Sequence, residues 1–533
     1  MRGEQIHCFV RVKIFFRILL SVIVSLSTTY CFFLLLNVVT AHGPRGTQAK
    51  LPIYVYQFNP NDGSMILLNI SGKVGADEDT FENKQPLVNP AFTRFHPRLN
   101  VVYTCTEDVM NNGIIVAYKI SPKGSLKKIG QVDAGGTSTC YITVDRKQEH
   151  LIVTNYWDST LCVIPIDSET GAFTGAIMNT YDPKQGFKMQ AAAKLNGGCN
   201  HSNNDESTIR ERQKDPHSHA LVLDTSQGHI AYVPDLGKDL VREMLYNPDK
   251  GEIVGQLNVL PSGMSTGNPD GPRYIEFHPT LDIAYVVNEL SSTIAVFSVD
   301  RSKVNAIARA SRENLSLSEI IELSNGPTLQ LIQSVRTVPE AFPTDMNTCG
   351  RVTVHPSGNF VIVSNRGHES IAIFRVMKKG SYTGQLRQIG FYHTYGETPR
   401  HFQFDASGQY LIVANQDSDS LNVFSFNLSS GEIKFTGNKY GIPSPNFVCN
   451  CVLGDTRQPE PMINIVEDSH VLSAYKNLST SSPTPESVSS SDDGTLNFEI
   501  VNENEDGSKE DILLKLKKAR EDIYLLKKQL AQV

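Results

Sequence analysis

The chain is predicted to be all-β, a seven-bladed β-propeller, on three observations: a recurring strand phrase, the spacing of its copies, and the absence of long amphipathic helices between them. In one copy Arg273-Tyr-Ile-Glu-Phe-His-Pro leads into Ile283-Ala-Tyr-Val-Val-Asn and then Ser292-Thr-Ile-Ala-Val-Phe. These are short apolar strands bounded by turn residues. Arg351-Val-Thr-Val-His-Pro and Arg400-His-Phe-Gln-Phe-Asp open two further copies, others begin at Cys140 and His219, and a weaker one runs from Phe92. Uninterrupted copies lie about fifty residues apart, the length of a four-stranded propeller blade. Wider gaps mark insertions. A partial repeat at Ile53-Tyr-Val-Tyr-Gln-Phe completes the set of seven, and Asn446-Phe-Val-Cys is placed to pair with the first blade and close the ring.

With 533 residues, 40% of them hydrophobic and 20% charged, the chain can bury a large core. A net charge of -7, with no basic run interleaved with aromatics on the repeats, gives no support for nucleic acid as a partner. The nine cysteines form no CxxC pair, so a zinc site or a disulfide framework is not expected.

Both ends depart from the repeat. Residues 18–39 carry no charge and come after Arg2, Arg11, Lys13 and Arg17. Three readings of the 1–41 segment stand open: a signal-anchor of a single-pass type II membrane protein, a signal cleaved after Ala41 in the secretory pathway, or, near Leu36-Asn-Val-Val-Thr, the opening strand of the first blade. Without insertion the protein is cytoplasmic. The propeller is expected over residues 46–455, then a Ser/Thr/Pro-rich disordered linker at 456–508. Residues 509–533 step Ile512, Leu516, Ala519, Ile523, Leu526 and Leu530 as a short heptad helix, which permits weak homo-oligomerisation or docking of an amphipathic helix.

Residues shared by all copies serve the scaffold, and residues peculiar to one copy are candidates for chemistry. His278 and His355 alternate with Asp145 and Asp405 at one turn, so they are expected to be turn residues. The Asn closing the second strand (Asn155, Asn288, Asn365, Asn415, with Asp235 as variant) is expected to form an Asx-type turn. The residues just beyond this Asn vary: Tyr156-Trp157, Leu236-Gly-Lys238, Glu289, Arg366-Gly-His368 and Gln416-Asp417. Before the first strand stand His217-Ser-His219, Pro272-Arg273 and Pro399-Arg400. Guanidiniums pair with carboxylate or phosphate, and His or Glu can activate water, so an anionic substrate fits. The competing reading is that these Arg and Glu simply pair with one another. His217 and His219, two apart on a strand, have no evident third metal ligand, and Gly263-Met-Ser265-Thr-Gly267 lacks the strand and helix that a nucleophile elbow needs.

Taken together, His217-Ser-His219, Pro234-Asp-Leu-Gly, Gly271-Pro-Arg with Val287-Asn-Glu, Ser364-Asn-Arg-Gly-His-Glu-Ser and Ala414-Asn-Gln-Asp-Ser resemble the signature runs of the seven-bladed propeller lactonases. That family includes 6-phosphogluconolactonases and 3-carboxy-cis,cis-muconate lactonizing enzymes. The resemblance implies catalytic roles for His219, Arg273, Glu289 and Arg366, with His217, His368, Arg400, Lys238 and Gln416 contacting substrate. It implies hydrolysis of a sugar lactone, most simply 6-phosphoglucono-δ-lactone, by water activated at Glu289 or His219, with no cofactor or metal. Two alternatives remain: a muconate-type cyclase and a non-catalytic binding propeller. Ser218 stands where the family usually has Pro, and Leu240 where a basic residue is common.

Overall fold

The computed structural model describes residues 34–41, 50–71, 87–184, 209, 212–264 and 269–453. Seven four-stranded antiparallel sheets form within them, and one two-stranded sheet lies outside the blades. Six blades are continuous in sequence; Pro272–Phe277, Ile283–Asn288, Thr293–Val299 and Leu329–Arg336 are the strands of one. The first strands of neighbouring blades pack against one another and wall the central channel.

The remaining blade is assembled from both ends of the described chain. Leu34–Ala41 pairs with Ile53–Phe58 on one side and with Pro445–Leu453 on the other. Its Val38, Val39 and Thr40 are wholly buried. The propeller therefore begins ahead of residue 46, and the strand reading of Leu36-Asn-Val-Val-Thr is the one that this pairing fits. Cleavage after Ala41 would remove the strand. No helix among the described residues is long and apolar enough to cross a membrane. Residues 1–33, the 456–508 linker, the 509–533 helix and Ser265 lie outside the described residues.

The repeated residues do scaffold work, though not always the expected kind. His278 Nδ1 accepts the Thr280 and Leu281 N–H groups and so closes its turn, while Nε2 reaches the Gly358 carbonyl of the next blade at 2.8 Å. His355 bridges to Gly408 in the same way at 2.9 Å. The closing asparagines are not Asx-turn formers. Asn155, Asn288, Asn365 and Asn415 each donate Nδ2 to a carbonyl at the end of the preceding blade, from Ala134, Ser262, Thr337 and Thr394. An amide can donate that latch, and a carboxylate cannot. Where Asp235 replaces Asn, the side chain instead accepts Arg242 Nε and Nη2 at 3.0 and 2.5 Å and the backbone N–H groups of His217 and Gly237 at 2.8 and 3.1 Å. One substitution thus turns a blade latch into a clamp on the segment that carries His217.

In five of the seven blades the second turn ends in a left-handed residue, Ser159, Asp239, Ser292, Glu369 or Asp419, with φ between 51 and 60°. The four residues before the next strand are thereby given one repeated shape. An unanticipated element is the helical insertion before Leu329–Arg336. Arg301–Arg312 is capped by Asp300, and Leu317–Ser324 starts at a capping box of Ser316 and Glu319.

Midway along the channel the inner strands contribute a belt of rings. Phe92 lies 4.6 Å from Tyr141 and 4.4 Å from Phe447, Tyr141 lies 5.5 Å from Tyr274, and His401 lies 3.9 Å from Phe447 (ring centroids).

Candidate active site

Antiparallel pairing brings the start of each first strand beside the end of the second, as in Pro272 opposite Asn288. Residues before the first strand and residues just after the closing Asn therefore meet at one mouth of the channel. There Glu289, 3% exposed, is ringed by three guanidiniums. Arg212 Nη2 donates to Oε1 at 2.8 Å. Arg273 Nε and Arg366 Nη2 each lie 3.0 Å from Oε2. Arg273 Nε is an ion-pair contact whose N–H is not aimed at the oxygen. The two inner arginines are fixed by backbone carbonyls, Arg273 by Gly350 at 2.9 Å and Arg366 by Cys349 at 2.6 Å.

Three cations around one carboxylate leave the cluster with two positive charges in excess. Burial alone would push the Glu289 carboxyl up, but Arg212, Arg366 and Arg273 together outweigh it and hold the group well below the usual carboxylate range. Burial and the crowding of like charges lower Arg366 to about 10, even against the pull of Glu289.

His219 stands beside this cluster between Tyr156 and Tyr274, with ring centroids at 5.2 and 5.5 Å. Burial, then the nearby Arg273, holds its pKa well below 6.5, so the imidazole is neutral at pH 7. Its Nδ1 has no hydrogen-bond partner among the described residues. His217 stacks on Tyr156 at 4.8 Å and 14°, with Nδ1 3.1 Å from the Tyr156 carbonyl oxygen. Ser218 is tied to Ser159 by a 2.8 Å contact between hydroxyls.

Of the expected residues, His217, His219, Arg273, Glu289 and Arg366 come together. Arg400 borders them, 3.8 Å from Glu107 and 3.4 Å from the Gln416 side-chain oxygen. Lys238 and His368 do not join the cluster. Lys238 donates to the Lys214 carbonyl at 2.6 Å, and His368 contacts Ser370 at 2.7 Å and packs edge-on to Phe342. Both side chains are thus engaged outside the Glu289 cluster. Arg212 carries no signal in the repeat. It lies in the insertion between Asn179–Tyr181 and Val222–Leu223, and its Nε donates to the Tyr156 hydroxyl at 3.0 Å. Among the described residues no group of three metal-ligating side chains occurs.

The buried histidines set a pH dependence. His219 and His401 are held well below 6.5, and burial lowers His96 and His355 to about 4. The unfolded chain takes up protons near pH 6.5 where the folded chain does not, so acid favours unfolding. Buried carboxyls work the other way: burial raises Asp239 to about 6 and also raises Glu243, Glu276 and Asp405. Stability is expected to fall as the pH drops from about 6.5 towards about 4, read as a declining urea midpoint. A midpoint that rises over that interval would contradict it.

Comparison with known proteins agrees with this architecture. The family model described as "Lactonase, 7-bladed beta-propeller" matches residues 52–452. A 6-phosphogluconolactonase of Formosa agariphila is 26% identical over 72% of this chain and 90% of its own length. One from Bacillus subtilis is 26% identical over 67% of this chain and 86% of its own. The solved structure of a periplasmic gluconolactonase of Pseudomonas aeruginosa superposes with a TM-score of 0.59 at 23% identity, over 79% of this chain and all of that one. The chain belongs to the seven-bladed β-propeller lactonase family.

Proposed function

We propose that this protein hydrolyses a sugar δ-lactone bearing an anionic group, with 6-phosphoglucono-δ-lactone as the substrate to test first. The observation that carries the reading is the excess of guanidinium over carboxylate at Glu289. A buried site with uncompensated positive charge favours a ligand that brings negative charge, and arginine pairs with phosphate or carboxylate in two-point geometry. The relatives named 6-phosphogluconolactonase support the choice of lactone.

In the proposed reaction His219 is the base. Glu289 is already held by its arginines and is a poor proton acceptor, whereas His219 is neutral and stands beside them. His219 takes a proton from water as the oxygen attacks the lactone carbonyl. Arg366 and Arg273 stabilise the developing oxyanion. The ring C–O bond then breaks, and the imidazolium returns the proton to the departing alkoxide, giving the open hydroxy acid. Substrate anion drawn to the arginines offsets the charge of Arg273 and so raises the basicity of His219 when substrate is present. Glu289 stabilises the transient imidazolium.

The full chain is expected to open 6-phosphoglucono-δ-lactone faster than buffer does and to prefer it to unphosphorylated glucono-δ-lactone in kcat/KM by roughly tenfold or more. Ring opening at the spontaneous rate would sink the reading.

A further inference from the structure

Beyond the aromatic belt the channel holds a second charged group. Side chains two apart on a strand share a face, so the residues two past the belt positions form the next layer down the channel. These are Arg94 after Phe92, Glu276 after Tyr274, Gln403 after His401 and Cys449 after Phe447. All four are half-buried, whereas the intervening Thr93, Ile275, Phe402 and Val448 are at most 1% exposed. This face therefore lines open space. Arg351 reaches the same space from the belt, its guanidinium 5.7 Å from the Tyr274 ring centroid, while that of Arg94 lies 5.3 Å from the Tyr141 ring centroid.

The layer is short of anionic acceptors. Arg94 spends Nε on the Ile142 carbonyl at 3.0 Å and meets the Tyr141 hydroxyl, and Arg351 spends Nε on Thr353 Oγ1 at 3.0 Å. The Glu276 carboxylate lies close enough to be felt by both guanidiniums, yet among the described residues it forms no ion pair with either. Beside them His401, 2% exposed, accepts the Val448 N–H at Nδ1, which leaves its proton on Nε2, without a hydrogen-bond partner among the described residues. Burial, then Arg351, Arg273, Arg94 and Arg400, keeps that imidazole neutral. Arg94 and Arg351 face the Glu276 carboxylate in a space that water can enter, with the His401 N–H buried beside it.

We propose that this half of the channel is a second anion site, in which a small carboxylate or phosphate bridges Arg94 and Arg351. It is separated from Glu289 by the belt of Phe92, Tyr141, Tyr274 and Phe447, and it opens towards the mouth where the His-Pro turns lie. The site does not depend on the reaction proposed above. Glu276 sets its selectivity: with one negative charge already present, the site favours a monoanion over a more highly charged ligand.

Equilibrium dialysis of the full chain against labelled inorganic phosphate, and against labelled acetate as the carboxylate probe, tests this in an Arg366→Gln background that weakens the upper site. At least one probe is expected to remain bound there. Adding Arg94→Gln should weaken it by roughly tenfold or more, the worth of a charge-assisted pair. Adding Glu276→Gln instead should tighten it by removing a like charge, an effect that misfolding cannot imitate. Retention of phosphate alone or acetate alone supports the site and identifies the anion class. Loss of all binding with Arg366→Gln, or an affinity indifferent to both channel substitutions, overturns the proposal.

Discussion

Glu289→Gln is expected to lower folding stability by about 3–5 kcal/mol, the scale of breaking a buried ion pair from one side. The amide keeps the shape of the carboxylate and removes its charge, which leaves Arg212, Arg273 and Arg366 facing one another without a counter-charge. Urea denaturation of the full chain measures the loss. Phosphate added to the variant should restore part of it, because an anion that binds only the folded state stabilises that state by mass action. A loss below about 1 kcal/mol would show that the arginines do not need this counter-charge.

The second large effect is on turnover. Arg366→Gln is expected to reduce kcat/KM on the lactone by about 10²- to 10³-fold, as for removal of an oxyanion donor. Its effect on stability should be small, less than about 1 kcal/mol, because one of three mutually repelling cations leaves along with its bond to Cys349. The two substitutions therefore separate the roles: removing the carboxylate costs folding, and removing the guanidinium costs chemistry. A variant that retains most of its kcat/KM would remove Arg366 from the reaction.

The scaffold was legible because each blade repeats its own instructions. Apolar strands, His-Pro or Asp turns and the closing Asn recur in register, which marks them as scaffold, although the latch that the Asn makes to the preceding blade is not visible in the repeat. What the repeat could not show was which way a turn residue points. Glu289 and Arg366 stand directly after the closing Asn and face the cluster. Lys238 and His368 stand two residues further along the same turn and face sideways, towards Lys214 and towards Ser370 and Phe342. Both kinds vary from blade to blade. Arg212 was beyond reach for another reason: it lies in an insertion that has no counterpart in sister blades to set its register. The helical insertion did carry a local signal, Ser316 three residues ahead of Glu319, but a capping box has no place in a strand repeat and stands out only against a helical background.

Leu34–Ala41 sits between Ile53–Phe58 and Pro445–Leu453, so one of its neighbours lies at the opposite end of the propeller sequence. During synthesis this strand leaves the ribosome early and has a free edge until residue 453 has emerged. The six continuous blades can form in order of emergence, but the joint waits for the last of them, and a pairing of such sequence separation is slow to find. An open edge held for that time is an invitation to pair with another nascent chain. Premature termination just before Pro445 would therefore cost more than one strand, since it would leave a nearly complete ring with an adhesive seam.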